Sequence, residues 1–184
     1  MSIIELLVGN AIGLGVLALL SSGTVAAGHL LTHVTGRGEL HDIADLAAEA
    51  FRFDLRRAGF APGTPLVDPL RVARTDRLTV VADLDGNGSV DPNSEETVAI
   101  ACLSSPGRVS RIVGAQSLPL ANNVVTCRLR YFDDQGIELV PPAAGLDATN
   151  RRRIATVELG FTLSSSWLRT TATRRIVVAR RGSA

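Results

Sequence analysis

Asp83, Asp85, Asn87 and Asp91 place oxygen-bearing side chains at positions 1, 3, 5 and 9 of one short stretch, Asp83-Leu84-Asp85-Gly86-Asn87-Gly88-Ser89-Val90-Asp91. Gly88 falls at position 6 and the Ser89 carbonyl at position 7. A hard cation such as Ca²⁺ takes about six to eight oxygen ligands, and alternating carboxylates on a tight glycine turn converge on one point. The spacing is that of a loop-borne Ca²⁺ site. The pattern is incomplete: Ser94 stands where the last carboxylate would be, Glu95 and Glu96 follow, and the flanks read as strands. Two readings stay open at this point. One is a Ca²⁺ site formed by Asp83, Asp85, Asn87, Ser89 and Asp91, and the other is an acidic hairpin loop without metal.

The second residue with a chemical demand is Glu5. From Leu6 to Gly28 there are 23 positions without a charge, and about 20 apolar residues suffice to cross a bilayer as a helix. A carboxylate at the apolar end costs on the order of 2.5–3.5 kcal/mol on insertion scales unless it finds a partner. A cleaved signal peptide would carry basic residues first, whereas the first arginine here is Arg37. A plain signal anchor would account for the apolar run but leaves Glu5 unexplained. Gly9, Gly13, Gly15, Gly23 and Gly28 weaken a helix in water, and Gly9-x-x-x-Gly13 allows close helix approach.

Catalytic signatures are missing from the sequence. Ser164-Ser165-Ser166 has no nucleophile-elbow context, and neither a phosphate-binding loop nor a Cys-x-x-Cys occurs. The chain reads as a non-enzyme. Cys102 and Cys127 are either bridged or two buried thiols; His29, His33 and His41 lie far from them, which argues against zinc. His29 and His33 share a helix face but lack an acidic companion. All 19 basic residues are arginine, yet the net charge is +1 and aromatic content is 4%. That balance does not point to nucleic acid, so Arg151-Arg152-Arg153 reads as a solvated or ion-paired run.

Around these residues the chain divides into an apolar part, 1–28, an amphipathic part, 29–60, and a strand-rich part, 61–184. Leu40, Ile43, Ala47, Phe51, Leu55 and Ala58 recur at spacings of three and four, with Asp42, Asp45, Glu49, Arg52 and Arg56 opposite, which predicts a helix over 39–58. Gly59, Phe60 and Pro62 are its stop signal. Joined to the apolar part, this predicts one helix of nearly 60 residues, about 85 Å long. Beyond Pro65, strands are predicted over 78–83, 97–103, 108–113, 124–132, 137–140, 154–163 and 174–179, with turns at Ser104–Gly107 and Asp133–Gly136 and a loop over 141–150. The expected fold is α+β, with the long helix packed on one antiparallel sheet.

Met1-Ser2-Ile3-Ile4-Glu5-Leu6-Leu7-Val8 resembles the start of a mature type IV pilin or pseudopilin. Phe51–Phe60, Pro119-Leu120-Ala121-Asn122-Asn123-Val124, Leu129-Arg130-Tyr131-Phe132-Asp133 with Gly136, and Arg153–Leu159 are similar to PilW-type minor pilins and J-type pseudopilins. The resemblance implies that Met1 is an N-methylated first residue whose leader lies outside this sequence, and that Glu5 pairs with a Met1 amine during assembly. It implies a filament subunit whose partners are other pilin-like subunits and an inner-membrane assembly platform. Such a subunit sits in the inner membrane before assembly and then in an extracellular or periplasmic filament. A J-type pseudopilin of a type II secretion pseudopilus is one alternative. A monomeric membrane-anchored Ca²⁺-dependent binding domain is another. Folding outside the cytoplasmic membrane, where disulfides persist, implies a Cys102–Cys127 bridge.

Overall fold

Strand-forming segments dominate the chain after its first helix, and they sort into two sheets. The computed structural model describes residues 38–62, 68–165 and 170–179. Helix α1 spans 38–57. Five strands follow in sequence, β1 (Leu70–Ala73), β2 (Arg77–Val81), β3 (Thr97–Leu103), β4 (Arg108–Val113) and β5 (Gln116–Asn122), then β6 (Val124–Phe132), the short helix α2 (Ala148–Arg153), β7 (Thr156–Ser165) and β8 (Thr170–Ala179). Every strand pairing is antiparallel. The first sheet has order β1-β2-β3-β4-β5 and the second β6-β7-β8.

The expectation of a helix of nearly sixty residues on a single sheet is corrected by this architecture. Among the described residues the long helix has twenty residues, from 38 to 57, and no helix is long and apolar enough to cross a membrane. In water a helix of this length is held by burial of one face more than by propensity. The buried face of α1 runs from Leu40 through Ala44, Ala47, Ala48, Phe51 and Leu55 to Ala58, so packing supports the helix over that span. Met1, Glu5, the apolar stretch 6–28, His29 and His33 lie outside the described residues. The single sheet becomes two because the chain turns sharply at Asn123, whose φ of 57° is left-handed. Asparagine tolerates that conformation better than most residues, and the turn ends β5 in one sheet and starts β6 in the other.

Several boundaries also differ. Residues 137–140 make a single bridge, Phe132 to Glu138, instead of a strand. The end of the predicted 141–150 loop winds into α2, capped by Asp147, whose side chain accepts the Asn150 N–H. Strands β1 and β5 were not anticipated. Pro119 in β5 hides a strand signal, but β5 is an edge strand, where a missing N–H is tolerated.

Both sheets and α1 share one core. Phe51 and Leu55 join Leu70, Leu78, Val80, Val98, Ile100 and Val109 of the first sheet and Leu129, Tyr131, Leu159, Phe161, Leu163 and Ile176 of the second. Helix α1 ends at the Gly59 stop, with φ of 80° and its N–H donated to the Val81 carbonyl at 2.8 Å. The tip of the β1–β2 hairpin joins the sheets. Thr75 O accepts from Leu129 N at 2.8 Å, Asp76 O accepts from Cys102 N at 2.8 Å, and the buried Tyr131 hydroxyl donates to Arg74 O at 2.6 Å.

Beside that tip, Cys102 of β3 and Cys127 of β6 form a disulfide with Cα atoms 5.6 Å apart. It cross-links the two sheets across a sequence separation of 25. Chain-entropy arguments give such a loop about 3–4 kcal/mol. Replacing both cysteines by alanine in a chain of residues 38–184 should lower the urea-unfolding free energy by about 3 kcal/mol, whereas a loss below about 1 kcal/mol would show that the sheets are already held by the Tyr131 and hairpin contacts.

Candidate functional site

The acidic loop connects β2 to β3 and is closed at its base by the ladder of those strands. Val81 pairs with Thr97, and Ala82 N donates to Glu96 O at 2.9 Å. Asp83 N then donates to Phe60 O at 2.8 Å, which ties the loop to the end of α1. The loop folds around the Asp83 carboxylate. Its Oδ1 accepts the Gly86 N–H at 2.8 Å and its Oδ2 the Gly88 N–H at 2.9 Å. Gly86 and Gly88 have φ of 74° and 80°, the left-handed region that glycine enters without steric cost.

A second buried carboxylate closes the other side. Glu96 Oε1 accepts from Leu84 N at 2.8 Å and Asp85 N at 3.3 Å, and Oε2 accepts from Asp91 N at 2.8 Å. The N–H groups of Asp91 and Leu84 hold its carboxyl below the usual glutamate range. Asp83, Asp85 and Glu96 each bring an oxygen to within 4.8 Å of the others; Asp83 and Glu96 are buried and Asp85 is exposed. Five backbone N–H groups compensate the two buried charges, but each carboxylate oxygen has a second lone pair. The trio can therefore present oxygens to a hard cation on the Asp85 side, or stand as a self-satisfied acidic turn.

Of the residues predicted for a metal, Asp83 and Asp85 come together and the others are used within the loop. Asn87 donates its side-chain N–H to Asp85 Oδ2 at 2.8 Å, and its Oδ1 accepts from Ser89 N at 2.8 Å and Ser89 Oγ at 2.7 Å. Asp91 Oδ1 accepts from Asn93 N at 2.8 Å. Glu96 was not picked out by loop counting. The signal that finds it is strand alternation: Glu96, Val98 and Ile100 are two apart and point to the buried face.

Glu95 faces the other way and joins an ionic network. Arg111 of β4 reaches Asp54 of α1 with Nε at 2.7 Å and Nη2 at 3.0 Å, and contacts Glu95 through Nη1 at 3.0 Å and through Nη2. Arg57 lies 3.2 Å from Asp54 and 2.8 Å from Glu95. Hydrogen bonds from Arg111 and then Arg57 lower the Glu95 pKa to about 2, and the same carboxylates raise the Arg111 pKa.

Two of the three arginines of the basic run, Arg151 and Arg153, are paired. Arg151 donates to the Leu70 and Leu146 carbonyls and to Asp68 Oδ2 at 2.7, 2.9 and 2.6 Å, and Arg153 pairs with Asp133 at 2.9 Å. Ser164 is a backbone-turn partner, its N–H donating to Asn123 O at 2.9 Å.

Two expectations follow from the network. Asp54→Ala should cost about 3 kcal/mol in urea unfolding, the low end for breaking a buried pair because Arg111 keeps Glu95; Glu49→Ala, which breaks an exposed pair with Arg52, should cost less than about 1 kcal/mol. Because the folded pKa of Glu95 lies below 4.5, its contribution is present above that pH and lost as pH falls toward about 2. Glu95→Gln should flatten the decline of stability between those values, and an unchanged slope would show that Glu95 is not the group responsible. Compared with known proteins, the chain matches no protein-family model and no curated protein.

Proposed function

We propose that this chain is a structural subunit of a type IV pilus-like filament, assembling through its apolar N-terminal residues. The observation that carries the reading is Glu5, a lone carboxylate ahead of 23 uncharged positions. A monomeric anchor gains nothing from a charge there, whereas in an assembly a neighbouring amine compensates it. The disulfide supports a domain that folds in an oxidising compartment. Glu5→Leu should reduce incorporation into sheared filaments at least tenfold while leaving membrane insertion intact. Filaments assembled normally from Glu5→Leu chains would overturn the reading.

Ca²⁺ at the acidic loop is a second, separable part of the proposal, favoured by the convergence of Asp83, Asp85 and Glu96. With few carboxylates and an open side, the affinity belongs to the weak extracellular class, on the order of 10⁻⁴–10⁻³ M. At about 10 mM Ca²⁺ such a site stabilises the fold by about 1.4–2.7 kcal/mol. Residues 38–184 should melt at a higher temperature in 10 mM Ca²⁺ than in chelator. Asp85→Asn, at an exposed member of the trio, should remove at least half of that difference. Identical melting with and without Ca²⁺ would leave the loop as a self-satisfied turn.

A further inference from the structure

One side of the first sheet faces away from α1 and the second sheet. Along β4, Val109 points into the core and Arg111 reaches Asp54, so Arg108, Ser110 and Ile112 point outward. The strand registers carry that side across the sheet. Arg77 of β2, Ala101 of β3 and Ser110 of β4 lie in one row. Thr79, Ala99 and Ile112 form the next, and Leu103, Arg108 and Asn122 the row on the other side. Thr79, Ala99 and Ala101 thus make a low floor bordered by the longer Arg77 and Arg108. The five strands of this sheet contain no aspartate or glutamate. Asp76, next to Arg77, pairs with Arg74 at 3.1 Å. Arg77 and Arg108 have no ion pair among the described residues. This side therefore carries positive charge that the described chain does not compensate.

A second observation points to a ligand. Ser110 has 0% exposure and its Oγ has no hydrogen-bond partner. The Arg108 Nε, on the same side of β4, is likewise buried without a partner. Both groups can donate. A buried donor left unpaired costs free energy, and native structures account for such groups by bound water or ions. Two such donors beside uncompensated guanidinium groups call for a charged acceptor. We propose that this side of the first sheet binds a tetrahedral oxyanion, phosphate or sulfate, held by the Ser110 Oγ, the Arg108 guanidinium and Arg77 of β2. Two strand spacings, each about 4.8 Å, separate the Arg77 and Ser110 backbones, a gap that an arginine side chain spans. Ser110 is closed to solvent, so the Arg108 side chain lifts as the ion enters and its Nε–H then donates to the ion. A tetrahedral ion presents acceptors in each of the three directions, in the geometry that guanidinium groups suit. The site depends neither on the filament reading nor on the acidic loop.

The test is ³¹P magnetic resonance of inorganic phosphate with the full chain in a nonionic detergent, in calcium-free buffer of fixed ionic strength. The chain should broaden the phosphate resonance, and the effect should saturate as phosphate is raised. Arg108→Gln should weaken binding about tenfold and Ser110→Ala about threefold. Arg152→Gln, which removes an exposed arginine of α2, should leave it unchanged. Sulfate should displace phosphate, whereas acetate at the same concentration should not. Dextran sulfate that displaces phosphate more effectively per sulfate than the free ion would place the ligand on a polymer, and equal displacement would make it the free ion. The fold supplies a separate readout. Without phosphate, Ser110→Ala should unfold at no lower urea concentration than the unchanged chain, because it removes a hydroxyl that has no partner. Marked destabilisation would show that the hydroxyl is already satisfied within the fold. Phosphate that shows no saturable broadening would leave the two donors to a buried water. An equal loss in Arg152→Gln would show general charge attraction, and equal displacement by acetate would refute the tetrahedral ligand. Any of these four results overturns the proposal.

Discussion

Asp54 is a carboxylate with 1% exposure, set in the buried face of α1 between Phe51 and Leu55. An unpaired charge there would cost several kcal/mol. It is tolerated because Arg111 approaches with two nitrogens in the planar fork that suits a carboxylate. That pair sets the rotation of α1 over β4. Once rotation is set, Phe51 and Leu55 must point into the core, and Leu46, Glu49, Phe53 and Arg56 must point away from it. The same guanidinium reaches Glu95, so the end of the acidic loop is referenced to the helix as well.

Adjacent glutamates in this loop illustrate how a strand start divides chemistry between two sides. Glu95 faces the arginines and is compensated by side-chain charge. Glu96 faces inward and is compensated by backbone N–H groups from Leu84, Asp85 and Asp91. Burial of Asp83 and Glu96 beside each other is possible because glycines at 86 and 88 turn N–H groups toward Asp83. This preorganised pair of carboxylates, with Asp85 at its rim, sits between β2 and β3 and is tied to the end of α1 through the Asp83 N–H.

The second sheet is attached by different means. Hydrogen bonds from the β1–β2 tip, the Tyr131 hydroxyl and the disulfide all fall within one region between β3 and β6. The helix and the cross-link thus hold the sheets from separate places, with a common apolar core between them. Separating the sheets therefore requires breaking a covalent bond as well as exposing the core.

Local signals carried much of this protein. The three-and-four spacing from Leu40 to Ala58 determined the amphipathic helix, Gly59 determined its end, and β-branched runs determined β3, β4 and β6 to the residue. Each depends on periodicity or on one residue's backbone freedom, which are properties of short stretches. Tertiary structure alone decided the rest. The division into two sheets hangs on a left-handed Asn123, a conformation that sequence permits but does not require. Pro119 could be a strand residue only because β5 lies at an edge. Asp54 stands in the apolar face of α1 and finds its partner in Arg111, 57 positions away, a pairing that no local spacing signals. Glu96 joined Asp83 and Asp85 because the direction of a side chain at a strand start is set by what lies beneath the sheet, and that is a long-range property of packing.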